Sequence, residues 1–460
     1  MNVLILSAVW GVLMMFSGVL LKTKAPIRIL AITGMLALVL VNVLEMRGIR
    51  ILDFPVAGLM SYDRPALLFI GIATVSTLLY LLLSARDMEK VGGYYSEYFA
   101  LLFFIICGID LVASFESLLI LFLGIEIISI PLYILTGSDK RNLKSNEASL
   151  KYFLLGSFST GLMLMGIALI YGAKASFNLN MINTLADGKN SVLLITGMLL
   201  LMFSMAFKAS VAPFHFWTPD VYDGAPTVFT SFMATIVKAA VFIAFVRLFS
   251  DGFGKIQTQW QLIAGILTVA TLFIGNITAV FQQSVKRMLA YSSIAQAGFM
   301  MFAVYSMSAE GMEGLILYVT AYSFATIGIF AVLIKMHDYT FDGFNGFARK
   351  QPLLAATTTI FLLSLAGIPL TAGFLAKFYM LKAALAGGQH LWLVIFAVLM
   401  AAVSVYYYFR VIQAMYFRES ESTAPAIEVS AAFKWTLVVL AALTILLGLF
   451  PEILLGWYYF

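Results

Sequence analysis

The stretch Leu123–Tyr133, LGIEIISIPLY, sets one carboxylate among ten uncharged residues. Glu126 falls nine residues into an apolar run over 117–136. At about 1.5 Å per helical residue that is close to the midplane of a hydrocarbon layer roughly 30 Å thick. A carboxylate at that depth cannot reach the headgroups, so it has to be paired, hydrated or in use. The whole chain agrees with a membrane setting: it is 62% hydrophobic and 11% charged, where soluble domains run at about 45–50% and about 25%.

Outward from Glu126, apolar runs long enough to cross a bilayer lie near residues 2–21, 29–46, 65–85, 97–115, 117–136, 151–173, 191–217, 226–249, 259–282, 288–307, 314–336, 353–386, 390–416 and 432–451. These fourteen runs predict an all-α polytopic membrane protein with little left over for a soluble domain. Fourteen spans make the loops alternate sides. The odd-numbered loops hold 17 Lys and Arg and the even-numbered ones six, or seven with Arg247 at a helix end. That bias puts the even loops and both termini outside the cytoplasm. No Lys or Arg precedes the first run, so it is expected to be a retained span rather than a cleaved signal. The net charge of +5 is scattered between apolar runs, so nucleic acid is not an expected partner. The single Cys107 excludes a disulfide framework and falls short of the about four thiolates an iron–sulfur cluster needs, and three histidines make haem hard to build.

Four cations interrupt apolar runs: Lys208, Lys238, Lys377 and Lys382. A charge at a helix centre costs about 2.5–3.5 kcal/mol on insertion scales, so several together need partners or water. Lys238 in MATIVKAAVF is central to its run, with Thr235 nearby. Lys208 in SMAFKASVAPF precedes Pro213 by five residues, and the missing N–H of a proline leaves polar backbone that must meet protein or water. The twelfth run carries Gly367, Pro369 and Gly373 at its middle, in SLAGIPLTAGFLAKFY, and reads as two half-helices. Lys377 lies eight residues past Pro369, about 12 Å towards the external side if helical. Asp110 in FIICGIDLVASFE sits inside or near the end of the fourth run, and His215 in VAPFHFWTPDVYDGAPT is a proton relay or a positional residue. Ser204, Ser210, Asn276, the Tyr291, Ser292, Ser293 and Gln296 group, and Thr320, Ser323 and Thr326 offer supporting polar groups. Plainer readings stand beside these. An intramembrane lysine can snorkel or cap carbonyls, a buried ion pair can be structural, and hydroxyls often bond to their own helix. Lys151 and Arg410 read as interface anchors, and His337 and His390 as exposed helix ends.

The stretches quoted above, with NEASLKYFLLGSFSTGLMLMGIALIYG from Asn146 and SVKRMLAYSSIAQAGFMMF from Ser284, closely resemble the antiporter-like membrane subunits of respiratory complex I. KYFLLGSFSTG followed by PFHFWTPDVYDGAPT is similar to the N-type branch. The M- and L-type relatives usually differ after the Pro-Phe-His or Pro-Leu-His element, and the long lateral-helix extension of the L type is not seen. The resemblance covers residues 98–415. It implies a 14-helix fold with two inverted five-helix repeats, at spans 4–8 and 9–13, and broken helices 7 and 12. The corresponding segments are 1–96, 97–250, 251–416 and 417–460. Glu126, Lys208, Lys238 and Lys377 match the family's helix-5 glutamate and its helix-7, helix-8 and helix-12 lysines. Asp110 matches no family residue, and no helix-11 histidine role passes to His337.

The implied function is proton translocation coupled to quinone reduction by NADH, with varying separation of Glu126 and Lys208 loading and unloading the lysine. NADH, flavin, iron–sulfur clusters and quinone are then expected in partner subunits, with no cofactor on this chain. The expected partners are other antiporter-like and small membrane subunits and, indirectly, the peripheral redox arm. The expected location is a bacterial inner membrane. Three alternatives remain open: a subunit of a multisubunit cation/proton antiporter or ion-pumping hydrogenase, a stand-alone solute carrier or channel, and a purely structural scaffold.

Overall fold

A computed structural model describes residues 1–21, 23–49, 51–52, 54, 56, 58–184, 192–386, 391–419 and 428–459. Lys22, Arg50, Lys189 and His390 lie outside the described residues. Among the described residues twelve helices are long and apolar enough to cross a membrane: Asn2–Leu20, Lys24–Met46, Arg64–Val91, Tyr95–Ser114, Leu118–Thr136, Leu143–Lys174, Thr227–Gly252, Gly254–Val280, Val285–Ser306, Ala309–Leu333, Leu391–Phe417 and Ala431–Leu449. That is two fewer than the runs counted in sequence. The other two coincide with interrupted segments. At the seventh position stand Val192–Lys208 and the eight-residue Trp217–Gly224. At the twelfth stand Pro352–Ala366 and Ala372–Ala386, of 15 residues each.

Helix starts follow from short polar side chains that meet the free N–H groups of the first turn. Asp63 accepts from the Ala66 N–H at 2.9 Å, Ser308 from that of Gly311 at 3.1 Å and Ser430 from that of Phe433 at 3.3 Å. The Leu143 helix begins eight residues before its apolar run, because Asn142 caps it and the polar turns beyond the run are still helical. Hydropathy detects only the part that lipid or protein must cover. The short helix Glu452–Tyr459 after the last span has no counterpart among the expected runs.

Thr227–Gly252 and Ala309–Leu333 are buried along their apolar length, while Asn2–Leu20, Lys24–Met46 and Ala431–Leu449 expose most of theirs. A helix apolar all round but hidden from lipid has to pack on every side, so these two form the centre. One pairing order occurs twice. Tyr95–Ser114 packs on Leu118–Thr136, and Leu143–Lys174 on Val192–Lys208. Later in the chain Gln257–Val280 packs on Val285–Ser306, and Ala309–Leu333 on Ala372–Ala386.

Ionic ties fasten the bundle near helix ends. Arg247 donates to the Phe115 carbonyl at 2.9 Å, the Ala113 carbonyl at 3.1 Å and Asp63 at 2.9 Å, joining the end of the Thr227 helix to the turn after Tyr95–Ser114. Lys335 meets Asp87 at 2.5 Å and ties the Arg64–Val91 helix to the chain after Leu333. Arg410 donates to the Val280 carbonyl at 2.8 Å and covers the Phe341 ring.

Candidate functional site

Leu118–Thr136 contains Pro131, whose missing N–H leaves a gap in the helix's own ladder. Around that proline, Glu126, Ser129 and Tyr133 share a face at three- and four-residue spacing. Thr160 of the Leu143 helix donates to Glu126 Oε1 at 2.7 Å, and the carboxylate is half-buried. Val192–Lys208 stops at Lys208, earlier than Pro213 alone indicates: Ser210 turns to φ +62°, and the chain stays non-helical until Trp217. Lys208 is therefore the last residue of its helix, and its buried ammonium donates to Ser129 Oγ at 2.8 Å and reaches the Tyr133 hydroxyl at 3.5 Å. It lies 6.0 Å from the centre of the Tyr133 ring. Glu126 and Lys208 form no ion pair. The carboxylate is held by Thr160, the ammonium by Ser129 one turn further on.

Lys238 follows a π-helical turn, Met233–Val237, a distortion common at functional positions and one that no hydropathy count reveals. It is 1% exposed, and its ammonium donates to the Ser293 carbonyl at 2.8 Å and hydroxyl at 3.0 Å. Thr235, in contrast, bonds back to the Ser231 carbonyl of its own helix.

Pro352–Ala366 ends at Gly367, whose φ of +84° is a left-handed conformation that side chains disfavour. The last carbonyls of that helix have lost their helical donors and carry the negative end of its dipole. Lys377 meets two of them, Leu365 at 2.8 Å and Ala366 at 3.0 Å, over the Phe299 ring at 4.8 Å. Lys377 sits one turn and a half into Ala372–Ala386, and helical side chains lean towards their N-terminus. Its ammonium therefore returns to the break instead of standing about 12 Å beyond it, as rise per residue alone suggested.

Polar side chains fill the space between Lys238 and Lys377. Ser292, beside Lys238's partner Ser293, shares a hydrogen bond of 2.5 Å with the Tyr408 hydroxyl. Gln296 Nε2 donates to that hydroxyl and to the Leu365 carbonyl, both at 3.0 Å, and Tyr318 donates to Gln296 Oε1. Nearby, the Tyr407 hydroxyl donates to Asn276 at 3.1 Å. Among the described residues, buried groups with no partner in hydrogen-bonding geometry include Ser210 Oγ, His215 Nδ1, Thr218 Oγ1, Tyr322 Oη, Ser323 Oγ and Thr326 Oγ1. Such groups are where internal water binds.

The other expected residues stand apart from this line. Lys382 is exposed, 5.9 Å from the Tyr379 ring centre. Asp110 lies inside the Tyr95–Ser114 helix, fully buried, and accepts from the Tyr62 hydroxyl at 2.8 Å in a separate pair. His215 is buried in the break after Lys208, against Phe216. His337 is exposed just past the Ala309 helix. Lys151 pairs with Glu147 at 2.6 Å and Asp220 at 3.1 Å. Ser129, Tyr133, Thr160, Tyr318 and Tyr408 were not singled out in sequence, although Ser129 and Tyr133 follow Glu126 at helical spacing. Lys286, counted as a loop cation, is buried and donates to the Asp223 and Ala225 carbonyls at 2.8 Å each. Among the described residues no cluster of His, Cys, Asp and Glu is arranged to hold a metal ion.

Residues 115–404 match the family described as NADH:quinone oxidoreductase/Mrp antiporter, TM. The chain is 41% identical to NADH-quinone oxidoreductase subunit N of Trichlorobacter lovleyi, over 85% of this chain and 82% of that one. It is 39% identical to the subunit N of Cytophaga hutchinsonii, over 99% of both. Among solved structures, a chain of respiratory complex I from Thermus thermophilus superposes with a TM-score of 0.84 at 32% identity, covering 99% of this chain and 98% of that one. Buried lysines beside broken helices and these likenesses converge: the chain is a multi-pass membrane protein that belongs to the NADH:quinone oxidoreductase/Mrp antiporter family, among its subunit N members.

Proposed function

We propose that this chain moves protons across a bacterial inner membrane as a membrane-arm subunit of an NADH:quinone oxidoreductase, through Glu126, Lys208, Lys238 and Lys377. The observation that carries the reading is that three lysines are buried on neutral oxygen acceptors alone, with one carboxylate nearby but held off. A structural ion pair satisfies its charges mutually. Ammonium groups held by hydroxyls and carbonyls, amid unpartnered hydroxyls that attract water, can give up and regain a proton. Movement of Glu126 towards Lys208 favours the charged ammonium. Retreat to Thr160, the arrangement seen here, favours release onward. Lys238 passes the charge laterally and Lys377 delivers it to the external side. Relatives at 39–41% identity are named as subunits of NADH-quinone oxidoreductase, which supports this reading over an antiporter, a lone carrier or a scaffold.

In this reading the recurring pairing order corresponds to inverted repeats over 97–250 and 251–416, flanked by 1–96 and 417–460. The Lys and Arg bias supports an orientation with both termini outside the cytoplasm. NADH, flavin, iron–sulfur clusters and quinone belong to partner subunits of the peripheral redox arm and its membrane base. Neighbouring antiporter-like and small membrane subunits carry the conformational or electrostatic stroke to this chain. The test is the number of protons pumped per NADH oxidised by the reconstituted complex with Glu126→Gln, Lys208→Ala or Lys238→Ala. Each is expected to lower it. Normal pumping by assembled Lys208→Ala complex overturns the assignment.

A further inference from the structure

We propose that Gln296 is a valve that keeps Lys377 out of proton contact with Lys238 until its clamp opens. Gln296 is buried, and its carboxamide is held at three points: Tyr318 donates to Oε1, and Nε2 donates at 3.0 Å to both the Leu365 carbonyl and the Tyr408 hydroxyl. Both amide hydrogens are thereby committed. The Leu365 carbonyl also receives the Lys377 ammonium at 2.8 Å, so the last two links before Lys377 are an amide and a peptide carbonyl. A hydroxyl can accept a proton on one side and release one on the other. An amide and a carbonyl that keep their covalent form cannot, because neither titrates in water's range.

The connectivity points the same way. The Tyr408 oxygen accepts from Gln296 and shares a hydrogen bond of 2.5 Å with Ser292 Oγ, in which either hydroxyl can donate. The Ser292–Tyr408 hydroxyl pair thus ends at Gln296, whose two amide hydrogens are both taken. A bypass lies next to the clamp. A cavity of about 10 Å³, the scale of one water molecule, is lined by Gln296, Tyr318, Tyr322, Ser364 and Lys377 among others. Among the described residues the Tyr322 hydroxyl on its wall has no partner in hydrogen-bonding geometry. Release of Gln296 by Tyr318 widens that cavity into a hydrated link between Tyr322 and Lys377. Gln296 acts as a positioning residue: it carries no proton and governs whether its neighbours exchange one.

The valve rests on the proton-translocation reading, and its test keeps the two apart. The assembled complex is reconstituted into vesicles without NADH, a pH gradient is imposed, and the rate of its collapse is followed with a pH-sensitive dye. Gln296→Ala is expected to speed collapse about tenfold, equivalent to ~1.4 kcal/mol off a barrier, and adding Lys377→Ala is expected to restore tightness. An unchanged leak, or one indifferent to Lys377→Ala, overturns the valve. If the alanine variant does not assemble, Tyr318→Phe removes only the clamping hydroxyl, and the same two outcomes decide. Failure of the broader reading shows differently, as normal pumping by Lys208→Ala complex.

Discussion

The Tyr133 hydroxyl lies directly over Gly156, where an added Cβ would collide with it. The bare backbone of the Leu143 helix is what lets the phenol run between two helices to Lys208. Gly156→Ala is expected to displace Tyr133, to cost ~1–3 kcal/mol through overpacking, and to lower pumping in the assembled complex. Combining it with Tyr133→Phe removes the closest atom, so part of the thermal stability should return in a melting curve of the purified complex. No return would place the clash elsewhere.

Ser129 holds the ammonium of Lys208 at 2.8 Å while Glu126 is engaged by Thr160. Ser129→Ala deprives a buried charge of its best acceptor, a loss of ~1–3 kcal/mol. Lys208 should then be drawn to Glu126, and pumping per NADH should fall because the pair no longer separates. With Glu126→Gln present as well, Ser129→Ala should add little further loss, since the two act on one proton-holding step. Additive losses would mean that Ser129 acts elsewhere.

At Gly367 the chain is left-handed, and a Cβ would meet the Lys377 side chain at 2.9 Å. Gly367→Ala therefore incurs a backbone cost of roughly 1–2 kcal/mol and pushes Lys377 off the Leu365 and Ala366 carbonyls. Pumping should drop towards that of Lys377→Ala. Hydrogen exchange of the amides around the break should rise, whereas unchanged exchange would contradict the link.

Arg247 serves two carbonyls and Asp63 from one planar group. A lysine cannot span all three, so Arg247→Lys should loosen the turn at residues 113–116, at a cost of ~1–3 kcal/mol for carbonyls left unmet. A lower melting temperature, with normal pumping by the molecules that remain assembled, is the expected pair of results.

Much of the site was readable in the sequence because charge is rare in apolar runs: Glu126, Lys208 and Lys238 declare themselves by depth alone, and the breaks by Pro213, Pro369 and Gly367. What escaped was anything set by side-chain direction or by which helices meet. Lys377 folds back to the break, an orientation that rise per residue does not encode. In sequence Lys286 is one loop cation among many, and only the end of the Trp217–Gly224 helix, folded over it, sets it apart. Tyr408 stands in a run of three tyrosines, residues 406–408, and only the approach of the Val285 helix distinguishes it from its neighbours. Ser129 and Tyr133 were accessible to a stricter reading, since helical spacing from Glu126 already put them on its face.

Neutral acceptors around Lys238 and Lys377 have an electrical consequence. Among the described residues no anion pairs with either side chain, so a positive charge arriving at one is felt by the other across weakly screening protein. Simultaneous occupancy is penalised, and the two positions are driven to fill by turns. Queueing of this kind gives transit an order of succession: once the Gln296 clamp opens, each newcomer expels the charge ahead of it.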